Sequence, residues 1–170
     1  MRDIPDNSED TLDSRDIVAR IDELEEQRGD LESELEEAQD ALQDAATELL
    51  DADPIAQHNG PDPSGELAAA IDKARAALAE WDASDEAEEL KTLKAFRDEL
   101  TDYCDDWSHG VTLIRDSYFK EYAEQLADDI GAINGDAKWP VNCIDWEKAA
   151  RELQMDYTSG EFDGVTYWAR

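Results

Sequence analysis

From Ile17 onward an apolar side chain recurs at alternating steps of four and three: Ile17, Ile21, Leu24, Leu31, Leu35, Ala38, Leu42, Ala45 and Leu49, with Arg28 in the one polar slot. Because an α-helix turns once in ~3.6 residues, a 4-3 series holds one narrow stripe on one side of the helix, here for about five heptads, while Glu, Asp and Gln fill the other faces. The pattern predicts a helix of about 37 residues, roughly 55 Å long at ~1.5 Å per residue, which must bury its stripe against another helix. Arg28 either sets the register of that pairing or lays its stem along the seam with its charge in water.

The segment 51–65 holds three prolines and two glycines, so the helix cannot continue through it and a loop is expected. Helical spacing returns at Leu67, Ile71, Ala74, Leu78 and Trp81. After Ser84, an N-cap followed by Asp85 and Glu86, it continues in a shifted frame at Leu90, Leu93, Phe96, Leu100 and Tyr103 or Cys104. Two stretches of matched length predict an antiparallel helical hairpin, a coiled coil over 15–103; a parallel homodimer through the first helix is the other way to cover the stripe. Residues 1–14 are expected to be a disordered acidic N-terminus, with Ser14 as the cap of the first helix and Asp16 in its first turn.

Residues 104–170 read differently. No aromatic residue precedes Trp81 and most follow Tyr103, as a small packed domain requires. A helix is expected along Ile114, Tyr118, Tyr122, Leu126 and Ile130, flanked by Phe119, Ala123 and Ala127 and closed by Gly131. Asn134-Gly135 and Trp139-Pro140 mark a loop. Ile144-Asp145-Trp146 reads as staple, N-cap and first turn of a helix running to about Met155, and Asp163-Gly164 between alternating bulky residues signals a β-hairpin. Trp107, Tyr118, Phe119, Tyr122, Trp139, Trp146, Tyr157 and Trp168 are expected as core and not as a base-stacking platform, which needs a basic surround. The fold class is therefore mainly α: the helical hairpin, then a small α+β domain with a C-terminal β-hairpin.

Charge narrows the function. With 46 Asp+Glu against 15 Lys+Arg the net charge is -31, divided as -16 over 1–53, -7 over 54–103 and -8 over 104–170. Such a surface repels phosphates and anionic lipid, which argues against direct nucleic-acid or membrane binding and for basic proteins, cations or whatever normally binds DNA or RNA. Cys104 and Cys143 form no disulfide framework and are expected as reduced thiols. No run of 18 apolar residues occurs and Met1–Pro5 lacks signal-peptide character, so the expected location is the cytoplasm. Asp105-Asp106, Asp128-Asp129 and the Cys104, His109, Cys143 set lack metal-site spacing, His58 stands alone in the proline-rich loop, and there is no phosphate-binding loop or nucleophile with a base. No cofactor, metal or catalytic residue is expected, and the chain is not read as an enzyme.

Fourteen carboxylates lie between Arg15 and Asp51, about one per 4 Å of helix, against one phosphate per ~3.4 Å along a DNA strand. A rod of that density could enter a DNA-binding cleft, with Glu25, Glu32, Glu36 and Asp40 as candidate phosphate substitutes. The alternative is a structural or adaptor coiled coil whose acidity serves solubility or a high-salt cytoplasm: Asp (26) exceeds Glu (20), and Lys (6) is rarer than Arg (9).

Three stretches add a resemblance: Tyr118-Phe119 to Tyr122-Ala123, Leu126-Ala127 and Asp129-Ile130-Gly131; Ile144-Asp145-Trp146-Glu147 with Ala149-Ala150-Arg151-Glu152-Leu153; and Asp156-Tyr157 with Phe162, Gly164-Val165 and Tyr167. Together they resemble the C-terminal domain of ArdA-type antirestriction proteins, acidic DNA mimics of plasmids, transposons and phages. The family element of aromatic-Asp-aromatic-Glu followed by Ala-Arg-acidic-Leu is matched by Asp145 to Leu153. The family's N-terminal domains are replaced by the coiled coil. The resemblance implies a non-catalytic partner of a DNA-binding host defence or restriction-modification protein, and carries over Asp145, Glu147, Glu152 and Asp156, alongside Asp128 and Asp129, as phosphate-mimicking carboxylates.

Overall fold

The computed structural model describes residue 5 and residues 7–51, 64–133, 139 and 141–170. In chain order the elements are β1 (Thr11–Asp13), α1 (Ser14–Asp51), α2 (Ser64–Asp82), α3 (Asp85–Thr101), α4 (Trp107–Gly110), β2 (Thr112–Arg115), α5 (Phe119–Asp129), α6 (Trp146–Gln154), β3 (Thr158–Phe162) and β4 (Val165–Ala169). Single 3-10 turns occupy Asp116–Tyr118 and Val141–Cys143. The protein is mainly α and ends in an antiparallel β-hairpin. It divides into two units, Asp22–Leu90 and the remainder, residues 1–21 with 91–170. The expected loop at 52–63, including His58, and the Asn134-Gly135 turn lie outside the described residues, as does the side chain of Leu49.

In the Asp22–Leu90 unit the heptad is legible in the burial. Leu24 is buried, and Arg28, Leu31, Leu35, Ala38, Leu42 and Ala45 are half-buried while their neighbours on α1 are mostly exposed. On α2 the buried residues are Ile71 and Ala74. Arg28 Nε donates to Asp82 Oδ1 at 3.0 Å, placing the end of α2 beside an early turn of α1, so the two helices run antiparallel. The Arg28 guanidinium therefore crosses the seam to a carboxylate and is not simply dispersed in solvent. Between α2 and α3 the chain breaks at Ala83-Ser84, where Ser84 Oγ accepts the Ala87 N–H at 3.3 Å as the expected N-cap.

The other unit is built on a four-stranded antiparallel sheet of order β1-β2-β4-β3. The β3–β4 connection is the two-residue Asp163-Gly164 turn, with φ of 46° and 76°. Both central residues in the left-handed region make this the turn whose twist matches paired strands. Because side chains alternate across the sheet, Leu12, Leu113, Gly160, Phe162 and Tyr167 share one face, and Ile114 and Trp168 the other. On the first face Phe96 of α3 stacks on Phe162 with centroids 5.4 Å apart and meets Tyr167 and Trp107 edge-on at 6.1 and 6.2 Å. α3 lies so close to β3 that a Cβ on Gly160 would come within 3.0 Å of Leu100 and 3.1 Å of Phe96. On the second face Ile114, Phe119, Ala123 and Ala150 form a core cluster packed by Tyr118, Tyr122, Leu153, Tyr157 and Trp168.

Several expectations are corrected. Residues 11–13 are a strand and not part of a disordered tail, and the residues just before them are bonded to the sheet: Arg115 N–H donates to Asp10 O at 2.9 Å and the Tyr167 hydroxyl to Glu9 O at 2.9 Å. Ser14 does not cap α1. Its fully buried Oγ donates to Trp107 O (2.6 Å) and accepts the Val111 N–H (2.7 Å), tying the α1 start to the α4–β2 turn. Ile114 belongs to β2, since its fourfold spacing from Tyr118 coincides with a strand whose partner is Trp168. The boundary at 103/104 shifts to 90/91, because Leu93, Phe96 and Leu100 are buried and Phe96 packs on the sheet residues Phe162 and Tyr167. Trp139 is 79% exposed and is not core.

Candidate functional site

The Asp22–Leu90 unit carries 23 Asp+Glu and only three cations, Arg28, Lys73 and Arg75. From Asp30 to Asp51 α1 has nine carboxylates and no basic residue. Helical spacing sorts its acidic side chains into two exposed rows at intervals of four: Asp22-Glu26-Asp30-Glu34, and Glu32-Glu36-Asp40-Asp44-Glu48. Each step is a rise of ~6 Å with Cβ atoms about 5–6 Å apart. Like charges at this spacing repel by about 0.2–0.5 kcal/mol each, so the rows' seven steps cost α1 on the order of 1–4 kcal/mol at low salt. The last turn of α1 has no basic residue to complement the helix dipole either.

Two of the unit's three cations are engaged locally. Arg28 bonds both Glu32 and Asp82 and is held more firmly protonated by them, the Asp82 hydrogen bond contributing most. Arg75 lies 3.8 Å from Asp72. Glu25, Glu32, Glu36 and Asp40 are all exposed on α1; Glu32, Glu36 and Asp40 are successive members of one row. The composition indicated a charged rod, and counting at intervals of four shows that the row also includes Asp44 and Glu48.

The C-terminal carboxylates are dispersed. Asp128 and Asp129 are exposed in the last turn of α5, where Gly131 N–H bonds Asp128 O and Ala132 N–H bonds Ala127 O, both at 2.9 Å, closing the helix as expected. Asp145 caps α6 by accepting the Lys148 N–H at 3.0 Å, and Glu147 lies 3.6 Å from Lys120 in the first turn of α5. Lys120 stands about 12–14 Å before the Asp128–Asp129 pair along α5, at ~1.5 Å per residue. Glu152 and Asp156 are exposed on α6 and just beyond it. These six carboxylates do not form one row, and Asp145 and Glu147 already serve the fold.

Among the described residues no three His, Cys, Asp or Glu side chains converge as a metal site would require. Asp106, Ser108 and His109 lie together, but Ser108 Oγ (3.3 Å) and Asp106 Oδ1 (4.0 Å) both approach His109 Nδ1. A relay needs the acid on one ring nitrogen and the nucleophile on the other. Cys104 is buried, which with the nearby Asp105 pushes its thiol above the ordinary value, whereas Cys143 is exposed. No helix among the described residues is long and apolar enough to cross a membrane. The chain matches no protein-family model, no curated protein and no solved structure.

Proposed function

We propose that the protein is a non-catalytic DNA mimic that occupies the DNA-binding cleft of a host defence enzyme, a restriction-modification complex by the resemblance of its C-terminal segment to ArdA-type proteins. The observation that carries this reading is the Glu32-Glu36-Asp40-Asp44-Glu48 row on α1, five exposed carboxylates at successive intervals of four that wind about 160° around the helix, with Arg28 paired to the first and no cation between Glu32 and Glu48. Repulsion along such a row is relieved when it meets a cationic cleft, and counterions gathered around it are released on binding as they are from DNA. The protein then acts in the cytoplasm, where the defence enzyme meets DNA.

The test is competition between the protein and duplex DNA for a purified restriction-modification complex at several salt concentrations. Converting Glu25, Glu32, Glu36 and Asp40 to their amides should weaken inhibition at least tenfold and flatten its salt dependence. Converting Asp128, Asp129, Asp145 and Glu147 should do less, because those four do not form one row. Binding that is indifferent to DNA and to both sets would refute mimicry and favour the second reading, an adaptor coiled coil tuned to a high-salt cytoplasm. That reading is supported by the excess of Asp (26) over Glu (20) and the scarcity of Lys (6).

A further inference from the structure

A single partner helix covers a heptad stripe from one side. Leu31, Leu35, Ala38, Leu42 and Ala45 are only half-buried, although α2 runs antiparallel to this part of α1 from the Asp82–Arg28 contact. Where the same stripe is enclosed, at Ile17, Ile21 and Leu24, exposure falls to 0, 2 and 0%. On one flank of its buried Ile71–Ala74 face α2 carries the small exposed residues Ala68 and Ala79, which leave room there for a further helix. On α1 the positions beside the stripe are Glu25 and Glu32 on one flank and Glu34 and Glu48 on the other. Arg28, the one cation on the stripe, is engaged with Glu32 and Asp82.

We infer that this leucine seam docks a cationic amphipathic helix of a partner protein, which would complete a three-helix bundle with α1 and α2. Such a helix places Leu, Ile or Met on the seam at 4-3 spacing and Lys or Arg over the flanking glutamates, the charge pattern that selects partners in coiled coils. A second copy of this chain is the wrong occupant, because it would set a unit of net charge -20 against another of -20. The inference goes beyond charge mimicry, which uses only the carboxylates and leaves the seam idle.

Two labelled peptides about four heptads long separate the two mechanisms. One carries Leu at the seam positions and Lys beside them; the other is a scramble of the same composition and charge. Titrated with the full chain, the patterned peptide should bind at least tenfold more tightly than the scramble in about 0.5 M salt, where exposed charges are screened, and should become helical as it binds. Leu35→Ala with Leu42→Ala should abolish that preference, with circular dichroism confirming that α1 and α2 remain folded. Equal binding of both peptides at every salt concentration overturns the docking seam while leaving charge mimicry standing. So does sedimentation showing that the protein alone forms a dimer that excludes the patterned peptide. The comparison of the two peptides needs no variant, so an unfolded mutant does not weaken the test.

Discussion

The Asp22–Leu90 unit and the rest of the chain each hold 23 carboxylates, but the first has three Lys+Arg and the second twelve. The first has a single aromatic residue, Trp81; the second has twelve. The aromatic-rich unit builds a sheet with side chains packed on both faces, where Phe96, Phe119 and Tyr167 are 0–1% exposed, and its cations include Lys120, which sits 3.6 Å from Glu147. The acidic unit has only a linear seam, and its 23 carboxylates share three cations, one of which, Arg28, pairs with Glu32 and Asp82. Compactness and charge density are thus separated along one chain: a packed core tolerates 23 carboxylates because it also holds cations and apolar area, whereas the helical hairpin leaves its charge displayed.

The largest effect expected is confined to the aromatic unit. Phe96→Ala removes a ring that meets Trp107, Phe162 and Tyr167, and it should cost about 3–5 kcal/mol. Chemical denaturation followed by near-ultraviolet dichroism reads that loss. If the far-ultraviolet helix signal falls in the same transition, the two units unfold as one and the contrast drawn between them is not thermodynamic.

A smaller effect of opposite sign belongs to the acidic unit. Glu36→Gln with Asp44→Gln removes all four repulsive steps of the longer row and should stabilise the α1–α2 hairpin by about 1–2 kcal/mol in dilute buffer. The gain should vanish in about 1 M salt, where the screening length is ~3 Å. Thermal melts at the two salt concentrations measure it, and a gain that persists in high salt would assign the effect to helix propensity instead of charge.

The smallest effect is alkaline and again distinguishes the units, since residues 22–90 contain neither Cys nor Tyr. Burial pushes Tyr157 up, helped by its 3.0 Å hydrogen bond with Tyr122, and burial raises Cys104. Both groups hold their protons more tightly folded than unfolded. Their contribution is therefore complete below the ordinary thiol and phenol values of 9.0 and 10.0 and is lost as the pH rises through them. Denaturation midpoints of the aromatic unit should fall between about pH 9 and 11, with one tyrosine ionising after the rest in the ultraviolet titration. A midpoint constant across that range would show that neither group is linked to folding.

Much of the architecture was legible wherever the determinant is local. The 4-3 stripe of α1, the Ser84 and Asp145 caps, the Gly131 ending and the Asp163-Gly164 turn each depend on residues within a few positions of one another, and each is found where the spacing put it. The carboxylate rows are equally local, since a helix once formed places residues four apart on the same side.

What the tertiary structure alone decided rests on partners far away in the chain. β1 is three residues long and becomes a strand only because Leu12 lies opposite Leu113; Ser14 turns from cap to buried link through Trp107 and Val111, more than 90 residues on; and Ile114 leaves its helical spacing to pair with Trp168. Arg28 likewise waits on Asp82, 54 residues later, to show which of its two roles it plays. Local spacing determines which helices form and which charges they align, because backbone geometry repeats every few residues. Strand pairing and buried hydrogen bonds are settled only when the folded chain brings distant groups together and excludes water from them, and no short pattern in the sequence carries that information.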